Sequence, residues 1–201
     1  MDAQRFARLV TDAVVRRPLL WQVFRRPLRS MFDGLAPAWE TRIGPHHLWA
    51  LDLALEDVPP PGRVLDLGTG TGVVAIALAE RYPGAEVVGI DISSGMIEEA
   101  RRKVPAELAG RVRFEVGDAS ALDCSDGDFD VVVLSNMIPF FDELARVVAP
   151  GGFLVLSFSR GAETPIYVAP GRLREELGRR GFAEFAEFFA EPATALRAKR
   201  R

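Results

Sequence analysis

The sequence predicts an α/β fold: a Rossmann-like, doubly wound sheet, mostly parallel with an antiparallel last strand, preceded by an N-terminal helical cap. Three observations predict it. Between residues 63 and 158 five apolar runs alternate with helical patterns, the rhythm of a parallel sheet covered by helices on both faces. A glycine turn in VLDLGTGTG, residues 64 to 72, joins the first run to the first helix. A length of 201 residues, 48% of them hydrophobic, supplies one full core and not two. The chain therefore divides into a cap, 1–58, and a core, 59–201.

In the cap, Phe6, Leu9, Val10, Ala13 and Val14 make one helical stripe. Trp21, Phe24, Leu28, Met31 and Leu35 make a second, and Leu48, Leu51, Leu55 and Val58 a third. The strands of the core are expected at RVLDL (63–67), AEVVGI (85–90), RVRFEV (111–116), FDVVVL (129–134) and GFLVLSF (152–158). Runs such as VVVL are near-continuous rather than alternating, as in strands buried on both faces. The first helix, 72–82, stops at Pro83-Gly84; the second can be capped by Ser93 or Ser94, with Ile97, Ala100 and Val104 on one face. Pro139 can open a helix carrying Phe140, Leu144, Val147 and Val148, which is expected to run to Pro150-Gly151-Gly152. GAETPIYVAP then reads as a loop, and RLREELGRRG as a short helix closed by glycine. Phe182, Phe185, Phe188 and Phe189 fall at helical spacing, yet Gly181 before them, the aromatic content and Glu191-Pro192 behind favour a strand, with 193–200 returning antiparallel.

Charge and cysteine content narrow the function. A net charge of -3 gives no electrostatic footprint for nucleic acid. The single cysteine, Cys124, can form neither an internal disulfide nor a multi-cysteine metal site, which suits a reducing cytoplasm. No apolar run reaches a membrane span, and the first ten residues are not followed by a signal core, so neither secretion nor spanning is expected. Residues 1–35 are locally basic, with seven arginines (Arg5, Arg8, Arg16, Arg17, Arg25, Arg26, Arg29) against Asp2, Asp12 and Asp33. Such a segment can lie weakly on an anionic surface, although a lid with a solvated face gives the same pattern.

The glycine turn carries the chemistry. Its spacing is Gly68-x-Gly70-x-Gly72, not the dinucleotide G-x-G-x-x-G, and Asp66 precedes it by two residues. A carboxylate there would repel a pyrophosphate and suits a ligand with a cationic group. S-adenosylmethionine is such a ligand. Asp91 ends the second strand, where an acid can take both ribose hydroxyls, and Asp118 follows the third, where an acid can accept from an exocyclic amine.

With these motifs the sequence resembles the class I S-adenosylmethionine-dependent methyltransferases of the small-molecule, ubiquinone/menaquinone C-methyltransferase-like group. VLDLGTGTG, GIDISSGMIEEA, GDAS, DFDVVVLSNMIPFF and APGGFLVLSF resemble that family's successive strand-end motifs. The resemblance implies that Asp66, Gly68, Thr69 and Gly70 hold the methionine end and Asp91 the ribose. It implies further that Ile92 and Met96 sandwich the adenine, that Asp118 and Ala119 meet its edge, and that Ser135 lies beside the sulfonium. The implied reaction is in-line methyl transfer to a small, apolar or aromatic acceptor. SNMIPFF departs from the Asn/Asp-Pro-Pro-aromatic motif of enzymes that methylate adenine or glutamine nitrogens; Met137, Ile138, Phe140 and Phe141 could instead form an apolar wall.

Each assignment has a plainer competitor. Asp91 and Asp118 could be turn or cap residues, and Ile92 and Met96 simple core. His46 and His47, the only histidines, stand in the cap, where either a solvated pair or a general base would fit. A nicotinamide-dependent oxidoreductase and a non-catalytic binding domain are the alternatives; the first is weakened by the glycine spacing, by Asp66 and by the lack of a Tyr-x-x-x-Lys pair.

Overall fold

The computed structural model describes residues 3–44 and 46–201. Met1 and Asp2, counted above with the cap, and Pro45 lie outside the described residues. The apolar runs form β1 (Arg63–Leu67), β2 (Glu86–Asp91), β3 (Val112–Val116), β4 (Phe129–Ser135) and β5 (Val148–Phe158), and the aromatic tail forms β6 (Phe182–Ala190) and β7 (Ala193–Arg200). They build one sheet in the order β3-β2-β1-β4-β5-β7-β6. Strands β1 to β5 pair in parallel, and β7 runs antiparallel to both β5 and β6. The order reverses between β1 and β4, and the carboxyl ends of the strands at such a reversal are where open α/β sheets bind ligands.

Side chains alternate across the sheet and feed two cores. Val64, Val87, Val131 and Val133 pack with α3 (Trp49–Leu55), α4 (Val73–Arg81) and α5 (Ser94–Lys103). Leu65, Leu67, Val132 and Leu134 pack with α6 (Phe141–Val147), α7 (Pro170–Gly178) and residues of the cap helices α1 (Ala3–Arg16) and α2 (Trp21–Leu35). The third cap stripe has a different destination from the first two: α3 covers β5, β6 and β7, while α2 lies against α5.

Two local departures from the sequence pattern have physical causes. The helix expected to reach Gly152 ends at Val147, and Val148 opens β5 opposite Phe129. Pro150 drives the residue before it into extended backbone, and β-branched Val148 gains a ladder partner there. In β6 the phenylalanines recur every three residues because a bulge at Glu184 (φ 49) sets one extra residue against β7. Phe182 and Phe185 therefore pack with the same core despite their odd spacing.

Candidate functional site

The turn after β1 is held open by three glycines in the left-handed region, Gly68 (φ 76), Gly70 (φ 53) and Gly72 (φ 85), the last of which starts α4. Its backbone is pinned to the end of β2. Gly68 and Thr69 donate to the Ile90 carbonyl at 2.8 and 3.0 Å, and Gly70 N–H donates to Asp91 Oδ2 at 2.9 Å. Asp91 Oδ1 accepts from Ser93 N–H, also at 2.9 Å. Beneath the turn Asp66 is 1% exposed; its Oδ2 accepts from the Thr69 hydroxyl at 2.6 Å, and its Oδ1 has no hydrogen-bond partner among the described residues. Burial pushes the Asp66 carboxyl up to about 7, against the pull of the Thr69 hydroxyl and the Ala75 amide, and nearby Asp91 adds to the rise. Burial likewise raises Asp91, which its amide donors oppose. Gly89, in register with Asp66, leaves the room this arrangement needs: a Cβ there would lie 2.5 Å from the Phe114 ring and 2.8 Å from Thr69 Oγ1.

Asp66, Gly68, Thr69, Gly70 and Asp91 thus form one bonded unit. Asp118 and Ala119 stand beyond the end of β3, on the neighbouring side. Burial raises the Asp118 carboxyl, but the Ser120 amide and hydroxyl, Trp21 and Arg25 outweigh it and hold the group below its ordinary value. Trp21 Nε1–H donates to Asp118 Oδ1 at 2.7 Å, from a ring stacked edge-on against Phe140. Ile92 is half-buried, whereas Met96 is 1% exposed in the first turn of α5 and Ala119 5% exposed in the core beside Trp21. Ser135, at the end of β4, has its Oγ 3.4 Å from His47 Nε2. Of the four residues read as an apolar wall, Ile138, Phe140 and Phe141 are core, and half-buried Met137 packs over Gly68.

The cap contributes residues that sequence patterns did not single out for the site. Asp33 accepts from the Ser93 hydroxyl at 2.6 Å and from Gly95 N–H at 3.1 Å, which with the charge of Arg29 holds its carboxyl low despite burial. Glu40 reaches Thr71 Oγ1 at 3.5 Å and pairs with Lys103. Trp39 lies over Gly70 and against Phe32. Trp39 falls outside every helical stripe, which was the one available signal that it faces something other than the core.

The sheet, parallel from β3 through β5 with β7 antiparallel, carries a glycine turn at its switch point and acids at three successive strand ends. Residues 64–152 match the family described as methyltransferase domain, in keeping with the resemblance carried by the strand-end motifs. The chain is 45% identical to the demethylmenaquinone methyltransferase of Thermus thermophilus, over 63% of this chain and 63% of that protein. It is 32% identical to the ubiquinone/menaquinone biosynthesis C-methyltransferase UbiE of Geotalea daltonii, over 70% of this chain and 65% of that protein. The chain therefore spans a little under two thirds of the length of these relatives. Among solved structures it shares the fold of an S-adenosylmethionine-dependent methyltransferase from Mesorhizobium loti (TM-score 0.63, 20% identity, 78% of this chain and 99% of that one).

Proposed function

We propose that this protein transfers a methyl group from S-adenosylmethionine to a small, largely apolar acceptor of quinone type. The observation that carries the cofactor reading is Oδ1 of buried Asp66, unpartnered among the described residues, with the Asp91 carboxyl close enough to raise the group further. Two neighbouring acids and a glycine turn suit an ammonium and a pair of hydroxyls, and oppose the phosphates that a nicotinamide dinucleotide would bring. On this reading Asp66, Gly68, Thr69 and Gly70 hold the methionine portion and Asp91 the ribose. Ile92, Met96, Asp118 and Ala119 surround the adenine, and Ser135 borders the reacting methyl group. The adenine edge would have to share Asp118 with Trp21, so cap and cofactor meet at that carboxylate.

When bound, S-adenosylmethionine supplies an electrophilic methyl carbon whose bond to sulphur breaks with the electron pair left on sulphur, while the acceptor's pair forms the new bond. The protein's own residues then have to orient the acceptor and exclude water, since positioning can remove up to about 7–11 kcal/mol of barrier. The names of the relatives point to a quinone ring as acceptor. Its carbon becomes nucleophilic only in the reduced, hydroxyl-bearing form. The division into cap and core belongs to this proposal: the cap closes the site through Trp21, Asp33, Trp39 and Glu40.

Calorimetry with S-adenosylhomocysteine and with NAD tests the reading. S-adenosylhomocysteine is expected to bind and NAD not to, with binding weakened at least tenfold in Asp66→Asn and Asp91→Ala. Binding of NAD in its place would overturn it.

A further inference from the structure

Around Ser135 the hydrogen-bond donors and acceptors are ordered in one direction. Asn136, immediately after β4, has φ 52, a left-handed backbone that asparagine tolerates, and its N–H donates to the Ser157 carbonyl at 2.9 Å. Its side-chain orientation is decided by chemistry. Ser159 N–H can only donate, and it points at 2.9 Å to the side-chain oxygen, Oδ1. The amide nitrogen must then face the other way. Nδ2 has two hydrogens and two partners, Ser159 Oγ at 3.0 Å and His47 Nδ1 at 3.5 Å. A nitrogen that receives a hydrogen cannot carry one, so Nδ1 is the unprotonated nitrogen of His47 and the ring proton sits on Nε2. Nε2 in turn faces Ser135 Oγ at 3.4 Å.

We propose that His47 serves the methyl transfer as a neutral hydrogen-bond donor, its Nε2–H holding an oxygen of the ionised acceptor beside Ser135, and that it is not the base. The inference rests on the methyltransferase reading above. A base acting through Nε2 would need its proton on Nδ1, facing a group that accepts; here Nδ1 faces an amide NH2. Protonation of the whole ring would set two donors against each other at the same contact. Burial, which lowers the affinity of His47 for a proton, works in the same direction.

The arrangement selects a chemical class of acceptor. The serine hydroxyl is a neutral partner at long range for Nε2–H, whereas an oxyanion makes a shorter, charge-assisted bond. Acceptors whose nucleophilic atom is a phenolate or enolate oxygen, or a carbon conjugated to one, are therefore favoured. Such an acceptor has already given its hydroxyl proton to solvent. If carbon is methylated, the proton on that carbon leaves to water afterwards, and His47 takes neither.

The test has a structural arm and a kinetic arm on the full chain. In the first, nitrogen-15 NMR of histidine-labelled protein, with His47 assigned by its loss in His47→Gln, is expected to show a neutral ring protonated on Nε2 at pH 7. Asn136→Asp, which puts an acceptor at Nδ1, is expected to move the proton there. A wild-type ring protonated on Nδ1, or on both nitrogens, overturns the proposal. In the second, with S-adenosylmethionine and a reduced 1,4-naphthoquinol, His47→Gln keeps a donor in place of Nε2–H and is expected to retain activity within about tenfold. His47→Ala is expected to lose at least a hundredfold, with S-adenosylhomocysteine binding unchanged in both. Equal losses in the two variants overturn the donor role. Loss of S-adenosylhomocysteine binding by the wild type would instead refute the cofactor reading, and leaves the NMR result to decide the proton's position independently.

Discussion

Asp66 shows how a single residue can be set against the stability of the fold. Its carboxyl stands at about 7 in the folded chain against an ordinary 3.8, chiefly because it is buried. Between those values the folded protein holds a proton that the unfolded chain has released. Its contribution to stability is thus fully present below pH 4, falls as pH rises, and is lost by about pH 7. The distance between the two values corresponds to a cost on the order of 4 kcal/mol above pH 7. Asp66→Asn removes the titration, so its thermal stability relative to wild type should rise between pH 5 and pH 8 even as S-adenosylhomocysteine binding falls. Melting curves at the two pH values, with and without ligand, check both signs; a variant less stable than wild type by the same margin at pH 5 and pH 8 would contradict the titration. The acid itself was legible in the sequence, because a carboxylate two residues before a glycine turn is a local pattern. Its protonation was not legible, since that depends on Thr69, Gly89 and Asp91 closing around it. The Trp21–Asp118 bond spans 97 residues, a contact no local spacing encodes.

At the scale of elements, β2, β4 and β5 were readable because strands buried on both faces have little choice but continuous apolar sequence, whereas edge strand β3 alternates, with Arg113, Glu115 and Val116 exposed. The two C-terminal strands were readable for a different reason: proline and glycine bracket them, although the bulge in β6 gives its phenylalanines the spacing of a helix. Amphipathic stripes identify helices without saying what they cover. Leu51 and Leu55 of α3 resemble the cap stripes in pattern, yet both are 2% exposed in the core with Val64, Val155 and Ala195. Leu28 of α2 is 4% exposed in the other core. The destination has an energetic consequence. Leu55→Ala should cost about 2–5 kcal/mol of global stability in urea unfolding, the usual range for a truncated core leucine. A loss under 1 kcal/mol would mean that α3 is only loosely attached to the sheet.

For the molecule as a whole, charge is distributed unevenly in a way the total conceals. Residues 1–35 carry a net +4, which leaves -7 on the rest of a chain whose total is -3. On the cap, Arg5, Arg16, Arg17 and Arg26 are exposed together with Leu9, Leu19 and Val23, which are 52%, 87% and 66% exposed. Among the described residues no helix is long and apolar enough to cross a membrane. We propose instead that this face touches an anionic bilayer, where an apolar acceptor would be found. At about 1 kcal/mol per basic side chain near an anionic surface, four arginines give about 4 kcal/mol, weak and reversible binding that the exposed leucines reinforce. The acidic remainder is repelled by the same surface, so the cap is turned toward it. Co-sedimentation should therefore show binding to vesicles containing phosphatidylglycerol and none to phosphatidylcholine alone. Raising salt to 0.5 M should release it, because the screening length then drops well below the ~10 Å of 0.1 M salt. Arg16→Glu with Arg17→Glu should abolish the binding while S-adenosylhomocysteine affinity stays unchanged, since neither arginine lies at the glycine turn. Equal binding to both kinds of vesicle, or none to either, would leave the basic cap as a solvated lid whose arginines serve the fold alone.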